Sequence, residues 1–264
     1  MTHISGKNGR VYSSALLVDN CESVWTTGGA GNAVSTVAGK VGTYCVRDTT
    51  TSIGANALLQ YKAISSLNLS AYDAIYAWIR SSVTTAAGDL QIALDDTNTC
   101  ASPIETLNIG ALTAATWKQC VCRLAAPASD TAILAVGLKQ ITDLADGTFD
   151  VDDVEALAEI DGIKAWSLDY TADTLETTDF GSAGVKEYII GGSGWSGSFD
   201  GFKDGVPLSI GSEVYLTLGE SATAYQAWIG KAIITGAHPN TSSDGIVTYS
   251  YDYQGTGELG VPGA

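Results

Sequence analysis

The chain has 264 residues, of which 45% are hydrophobic and only 16% are charged. Its 13 Lys and Arg residues face 29 Asp and Glu residues, and the formal net charge of −16 argues against a nucleic-acid-binding protein, because such proteins carry a basic patch. No apolar run approaches the roughly 18 residues of a membrane span, so we expect no membrane partner. The 30 Gly residues, together with abundant Thr, Ser and Val and scarce Lys and Glu, predict an all-β chain.

Stretches of β-forming residues, separated by turn residues, recur along the chain at the intervals typical of a β-sandwich. In the first half they predict strands at 16–20, 42–47, 57–63, 73–81, 89–95, 117–124, 132–139 and 148–156. In the second half they predict strands at 161–170, 185–190, 193–202, 212–218, 224–235 and 244–254. Tyr249, Tyr251 and Tyr253 share one face of the last strand, which favours a half-buried sheet face; the alternative is a stacking surface for sugar or a partner chain.

The sequence lacks the usual signs of a catalytic centre. It holds two His residues, and its Gly-rich stretches 28–32 and 192–198 match neither a dinucleotide fingerprint nor a nucleophile elbow. The five Cys residues are an odd number, and Cys120 and Cys122 share a strand face, so buried thiols are favoured over a disulfide framework or a zinc site. We therefore expect no enzyme, no catalytic, cofactor-binding or metal-ligating residues, and no cofactor.

The densest group of carboxylates is Asp150, Asp152 and Asp153. A glycosidase needs one acid facing another across a cleft, and nothing in the sequence places such a partner. Asp150 and Asp152 lie on one face of a strand, and with Asp19 or Glu22 of an opening strand they offer the hard oxygen ligands that calcium prefers. The alternative is a solvated edge of like charges.

Three stretches near the two ends of the chain carry a resemblance to a known family. They are Ile4–Tyr12 (ISGKNGRVY), residues 160–204, which include IDGIKAWSLDY and GWSGSF, and Gly245–Gly257 (GIVTYSYDYQGTG). Together they resemble the tail tube (major tail) protein family of long-tailed bacteriophages. That family usually carries a helix after the strand that holds GWSGSF, whereas residues 202–211 here leave room for little more than a turn.

The residues between these stretches resemble a carbohydrate-binding-type jelly roll. The resemblance rests on Leu16–Glu22, Trp25, Val41–Tyr44, Ala77–Arg80, Thr116–Trp117 and Phe149–Val154. The two resemblances imply a discontinuous tail-tube-type β-sandwich or barrel domain, residues 1–15 and 157–264, with a jelly-roll β-sandwich, residues 16–156, inserted into it. An insertion is held by two short connections, which agrees with the absence of a linker.

The tail tube resemblance implies a structural virion protein, assembled in the host bacterial cytoplasm, whose copies form hexameric rings stacked into a tube for genome ejection. Residues 157–264 carry four basic and fourteen acidic residues, a net −10, and an acidic bore lets DNA pass without specific binding. A plain role of this acidity in solubility is the alternative.

The inserted jelly roll then lies outside the tube. Its aromatic residues are candidates for weak contact with surface glycans: Trp25, Tyr44, Tyr61, Tyr72 and Trp117. Two other functions stay open, a capsid decoration or cement protein and a carbohydrate-binding module.

Overall fold

The computed structural model describes residues 9–202, 205–220, 226–241, 243 and 245–262. The strands in chain order are β1 Arg10–Asp19, β2 Thr26–Thr27, β3 Asn32–Ala38, β4 Tyr44–Thr50, β5 Ala57–Leu67, β6 Ala74–Ser81, β7 Leu90–Asp95, β8 Glu105–Asn108, β9 Lys118–Arg123, β10 Ile133–Gln140, β11 Thr148–Glu159, β12 Ile163–Glu176, β13 Tyr188–Phe202, β14 Glu213–Gly219, β15 Ala227–Asn240 and β16 Thr248–Gly260. Helical structure in these ranges is limited to two short 3₁₀ turns, Pro127–Ser129 and Phe180–Ser182. The predicted all-β class is confirmed.

In the part of the chain that the structure describes, no helix is long and apolar enough to cross a bilayer.

The middle of the chain forms two antiparallel layers that bury one core between them. One layer is the sheet β2-β5-β10-β7-β8, and the other contains β3, β4, β11, β6 and β9, with the later part of β1 beside β11. The largest fully buried side chains of this core come from both layers and the loops between them: Leu59, Leu69, Ile75, Ile79, Leu90, Leu94, Ile109 and Phe149. Strand β6 is buried along almost its whole length, as a central strand that is apolar on both faces must be.

Strand β1 joins this sandwich to the last third of the chain. Arg10–Tyr12 pairs with 215–217 of β14, whereas the rest of β1 pairs with 154–159 of β11. From β14 the same sheet continues through β15, β16 and β13 to β12. The beginning of the described chain and its last third are therefore adjacent strands, while the residue boundaries of the two predicted domains stay a prediction.

The last third buries a second core under a curled sheet. The curl brings β1 towards β12, since a Cβ on Gly9 would lie 2.4 Å from the ring of Trp166. Tyr251 and Tyr253 are buried in this core, so their strand face packs against the sheet interior, as the alternation of the sequence predicted. Within the described residues the sheet does not close into a barrel.

The structure corrects several strand predictions. The two strands predicted at 185–190 and 193–202 are one strand, β13, which continues through Gly191 and Gly192 although its register against β12 shifts there. Strands β2, β3 and β8 were not predicted, since each is short or half-exposed. Among the described residues 205–211 there is no helix; Leu208 packs on the second core in its place and donates its N–H to the Tyr251 hydroxyl at 3.3 Å.

Candidate functional surfaces

The long hairpin of β12 and β13 carries an exposed apolar surface at its distal end. Its strands pair from Ile163 opposite Gly201 to Glu176 opposite Tyr188, which makes it the longest two-stranded element of the fold. Towards the tip, Leu175 is 55% exposed and Ile190 is 79% exposed, and Phe180 in the tip turn is completely exposed. None of these side chains belongs to an apolar cluster of the described chain.

The geometry of the tip is nevertheless ordered by local hydrogen bonds. The Asp179 carboxylate accepts the N–H of Gly181 at 2.7 Å, and the Ser182 hydroxyl accepts the N–H of Asp179 at 3.2 Å, which forms a reciprocal cap on the 3₁₀ turn. Lys186 bridges to Glu176 at 2.9 Å across the base of the turn. The exposed apolar residues are thus presented on a defined hairpin.

Strand β12 is also a sheet edge. It pairs with β13 on one side, and its other side has no strand partner in the described part of the chain. Its 14 residues leave a row of backbone N–H and C=O groups that another chain can pair with. Together, the free edge of β12 and the exposed side chains Leu175, Phe180 and Ile190 form what we call the hairpin surface.

A second surface lies on the outer face of β12, β13 and β16, opposite the tyrosines of the core. Cross-strand register places three polar rows side by side on this face: Ser167–Ser198–Asp252, Asp169–Ser196–Gln254 and Asp200–Ser250–His238. Ser167 and Ser198 contact each other through their hydroxyls at 2.9 Å. We call this small-residue, hydrogen-bonding face the serine–aspartate face.

The serine–aspartate face is acidic. The Lys164 ammonium lies 3.2 Å from Asp200, and the His238 imidazole lies 3.0 Å from Asp252. Asp169 has no ion-pair partner in the described chain. With three carboxylates facing one lysine and one histidine, the face is repulsive to phosphate groups overall.

A partly buried charge network joins the sandwich to the curled sheet. The Lys231 ammonium of β15 lies 3.2 Å from Asp153 and 3.3 Å from Glu155 of β11. It also sits over the rings of Tyr76 and Tyr215, at 5.1 and 4.7 Å from their centroids. Burial lowers the pKa of Lys231, but the two carboxylates outweigh it, so the pKa is raised and the ammonium stays charged.

A local backbone irregularity brings Asp153 to this network. Strand β11 has a register shift between Asp152 and Glu155, and Asp153 has a φ of 51°, in the left-handed region. The Tyr215 hydroxyl donates to Glu155, which itself faces Lys231. A second link is made on β16, where the Gln119 side chain donates to the Glu258 carbonyl at 2.9 Å. These contacts fix the sandwich against the curled sheet.

The predicted calcium ligands are not brought together. Asp150 is bound by Arg47 at 2.7 Å and by Arg80 at 2.6 Å. Asp152 accepts the backbone N–H groups of residues 40 and 41 at 2.7 and 2.9 Å, and burial raises its pKa. Asp153 faces Lys231. The described residues contain no group of three or more His, Cys, Asp or Glu side chains placed to hold a metal.

The other two members of that predicted set are also occupied. Asp19 accepts the Cys21 N–H at 2.8 Å and the Trp25 indole N–H at 3.0 Å. Glu22 accepts the N–H groups of Thr43 and Tyr44, and so holds the 39–44 loop. These two carboxylates therefore accept hydrogen bonds from backbone N–H groups and from an indole N–H.

The aromatic residues proposed for glycan contact fall into different environments. Trp25 is 4% exposed and belongs to the core, and Tyr72 packs against the core. Trp117 lies under the Arg80 guanidinium, 4.5 Å from the ring centroid. Tyr44 is 45% exposed, at the start of β4. Tyr61 is half-buried beside a cavity of about 330 Å³ on the outer side of the five-stranded sheet.

All five cysteines are buried and unpaired, as the odd count favoured: Cys21, Cys45, Cys100, Cys120 and Cys122. Burial raises the pKa of the Cys45 thiol to about 11 and those of Cys100 and Cys120 to about 12. Cys120 and Cys122 lie in the same apolar core, as expected for residues two apart on one strand.

Sequence reasoning missed four buried acids, Asp48, Asp95, Glu105 and Asp130. For Asp48, the sequence signal that could have found it is the alternation of β4, in which Val46, Asp48 and Thr50 face the core while Arg47 faces outward. Asp48 is completely buried, and burial raises its pKa to about 7.

No protein-family model matches the chain, and no curated protein matches it. Among solved structures, the tail of an empty GTA particle with C6 symmetry shares 18% identity with it, covering 40% of this chain and 85% of that chain, with a TM-score of 0.33. The family 11 carbohydrate-binding module of a cellulosomal cellulase from Clostridium thermocellum shares 15% identity, covering 55% of this chain and 95% of that chain, with a TM-score of 0.42. Both are weak structural neighbours.

Proposed function

We propose that the chain is a structural virion protein of a bacteriophage that assembles with copies of itself into a tail tube through which DNA passes. The observation that carries this proposal is the hairpin surface, an ordered strand pair with exposed apolar side chains and an unpaired edge. A free edge of this length invites pairing, and pairing with identical copies in a closed ring removes it. The residues of this hairpin are also part of the sequence resemblance to tail tube proteins.

We propose that the hairpin surface of one copy contacts a different surface of the next copy. A contact of that kind is head-to-tail, and it closes into a ring when the rotation between neighbours divides a full turn. We propose hexameric rings, stacked into a tube and joined to other virion proteins at its ends. The protein is then located in the virion.

The serine–aspartate face is suited to line the bore. Most of its side chains are short hydroxyl or carboxylate groups, which leave few bulky groups to obstruct DNA. An acidic wall forms none of the cation–phosphate contacts that release counterions, so DNA passes without specific binding. The jelly-roll sandwich contacts the curled sheet at β14, β15 and the end of β16, through the Lys231 network and the hydrogen bond from Gln119 to the Glu258 carbonyl.

In this arrangement the jelly roll is an outward decoration without an enzymatic role. The cavity beside Tyr61, which Lys139 and Asn56 also line, favours a second candidate function, carbohydrate binding. Many copies on one particle turn weak glycan contacts into useful avidity. A capsid decoration protein is the third candidate. The symmetry of the assembly distinguishes the two, because a tube is built from sixfold rings and a decoration protein forms threefold or twofold caps.

The experiment that tests the proposal is size-exclusion chromatography with light scattering on the full chain and two matched variants. Ile190→Asp places a charge on the hairpin surface, whereas Ile246→Asp places the same charge at a residue that is 73% exposed elsewhere. We expect wild type and Ile246→Asp to form large assemblies and Ile190→Asp to remain monomeric. Assembly of Ile190→Asp equal to wild type contradicts the proposal, and a wild-type monomer that binds polysaccharide favours the carbohydrate-binding module.

A further inference from the structure

The Lys231 network places a primary amine in contact with two carboxyl groups where the sandwich meets the curled sheet. The Nζ of Lys231 lies 3.2 Å from Oδ2 of Asp153 and 3.3 Å from Oε2 of Glu155. The three side chains are 22%, 11% and 15% exposed, so they are largely withdrawn from water. One ammonium therefore faces two acids, and the group contains one acid more than an ion pair needs.

Two tyrosine rings cover the amine. Nζ lies 5.1 Å from the ring centroid of Tyr76 and 4.7 Å from that of Tyr215, and the two rings meet edge to face. Both tyrosines are buried. The ammonium is the resting form, because the two carboxylates outweigh the effect of burial and raise the pKa of Lys231. An apolar wall nevertheless disfavours both charges of an ion pair, which makes proton transfer to the neutral amine and neutral acid less costly than in water.

The two acids differ in how they are held. Oε2 of Glu155 accepts the Tyr215 hydroxyl as well as the Lys231 ammonium, and burial raises the pKa of Glu155, which suits a group that takes up and releases protons. Asp153 contacts Lys231 from a backbone with a φ of 51°, at the register shift of β11. Such a left-handed conformation is strained in a residue other than glycine and is typical of functional positions.

We propose that Lys231 and Asp153 condense to an isopeptide bond, with Glu155 as the proton carrier, and that this bond links β15 covalently to β11. The neutral Nζ attacks Cγ of Asp153, the C–N bond forms and one C–O bond of the carboxyl group breaks. Glu155 takes the two protons that Nζ loses, one at a time, and returns each to the departing oxygen, which leaves as water. The ammonium and the carboxylate supply all the atoms of one amide and one water, so the step needs no oxidant, reductant or co-reactant.

The fold supplies the driving force by proximity. The two reacting residues are 78 positions apart in sequence, and each lies on a strand that is paired on both sides, β11 with β1 and β6 and β15 with β14 and β16. Groups held in this way react as if at an effective concentration of about 10⁵–10⁸ M, which favours an amide that free amine and acid form poorly in water. The inference does not depend on the proposed assembly function.

The test is mass spectrometry of the purified full chain under denaturing conditions. We expect the intact mass to be lower than the sequence mass by one water molecule. Trypsin does not cleave after an acylated lysine, so the digest should contain a branched peptide in which residues 140–164 are joined to residues 204–264. Fragmentation of this peptide should place the link on Lys231 and Asp153. Lys186, whose ammonium lies 2.9 Å from Glu176 at an exposed site, is the internal control and should stay unmodified.

Variants test the role of each group. Lys231→Arg keeps a cation without the primary amine, and Asp153→Ala removes the carboxyl group, so both should have their full sequence mass. Glu155→Gln keeps the size of the side chain but cannot carry a proton, and most of this variant should also have its full sequence mass. Lys186→Arg is the matched control and should lose one water, as wild type does.

Three results count against the proposal. A wild-type chain with its full sequence mass overturns it. A water loss that maps to a linear peptide also overturns it, because that result indicates a succinimide at an aspartate. Formation of the link in Glu155→Gln to the same extent as in wild type contradicts the role of Glu155 as the proton carrier.

Discussion

The indole ring of Trp195 occupies the space that a side chain at Gly255 would fill. A Cβ on Gly255 would lie 2.0 Å from Cε2 of that ring, and the indole N–H donates to the Gly257 carbonyl at 3.2 Å. The tryptophan of the GWSGSF stretch thus lies directly on the last strand of the curled sheet. Two of the three stretches that carry the resemblance to tail tube proteins are therefore packed against each other at this point.

This contact predicts a large cost for Gly255→Ala. The added methyl group displaces a buried ring, and overpacking of this kind costs about 1–3 kcal/mol. Gly192→Ala is the control, because a Cβ at Gly192 meets nothing within 4 Å. Urea unfolding of both variants measures the difference, and equal stability of the two variants contradicts the packing.

The junction between the sandwich and the curled sheet predicts a strong effect of Lys231→Met. Removing the ammonium leaves Asp153 and Glu155 without their cation in a largely buried site, and breaking such a network costs about 3 kcal/mol. Lys186→Met on the exposed hairpin pair with Glu176 serves as the control and costs about 0–1 kcal/mol. Denaturant unfolding measures both; a cost at Lys231 as small as that at Lys186 contradicts a fixed junction.

Burial of Asp48 predicts a stability that falls as pH rises. Burial raises the pKa of Asp48 to about 7 in the folded chain, above its ordinary value in the unfolded chain. Its contribution is complete at low pH, where both states hold the proton, and is lost as pH rises towards 7, because the unfolded chain releases its proton first. We expect the difference in unfolding free energy between wild type and Asp48→Asn to change by on the order of 2–4 kcal/mol between pH 4 and pH 8. A difference that does not change with pH contradicts the burial of this acid.

The thiols predict resistance to alkylation. All five are buried, and burial raises their pKa values, so native protein at pH 8 should react slowly with iodoacetamide. In urea-unfolded protein, mass spectrometry should show that all five cysteines are alkylated. Rapid native labelling of Cys120 or Cys122 contradicts the core that contains them.

The serine–aspartate face predicts how assembled protein treats DNA. Ser198→Lys adds a cation to this face, and assembled Ser198→Lys should retain short DNA duplexes in a salt-dependent manner while assembled wild type does not. Thr106→Lys places the same charge on an exposed strand position of the jelly roll and should retain much less DNA inside the assembly. Equal retention by the two variants contradicts a bore lined by Ser198.

Much of the fold could be predicted from the sequence because strand alternation is a local property. Strand β6 and strand β14 were located to within a residue or two, since each alternates or is buried throughout. The continuous strand β13 was divided at its glycines, because glycine is read as a turn residue, whereas pairing with β12 on both sides of Gly191 and Gly192 keeps the strand continuous here.

The surfaces were harder to predict, because they depend on which carboxylate meets which donor. Asp150, Asp152 and Asp153 are neighbours in sequence, but each binds different partners. Asp150 binds two arginines, Asp152 accepts two backbone N–H groups and Asp153 faces Lys231. Asp48 was missed because a single acid in a strand is normally solvent-facing. The exposure of Ile190 and Phe180 depends on where the hairpin projects from the body, which local alternation does not specify.

The most direct test of self-assembly into a tube is electron microscopy of the purified full chain, with class averages taken for symmetry. We predict stacked rings with sixfold symmetry and a central channel. Solitary particles of monomer size, or threefold or twofold caps without a channel, would contradict the tube.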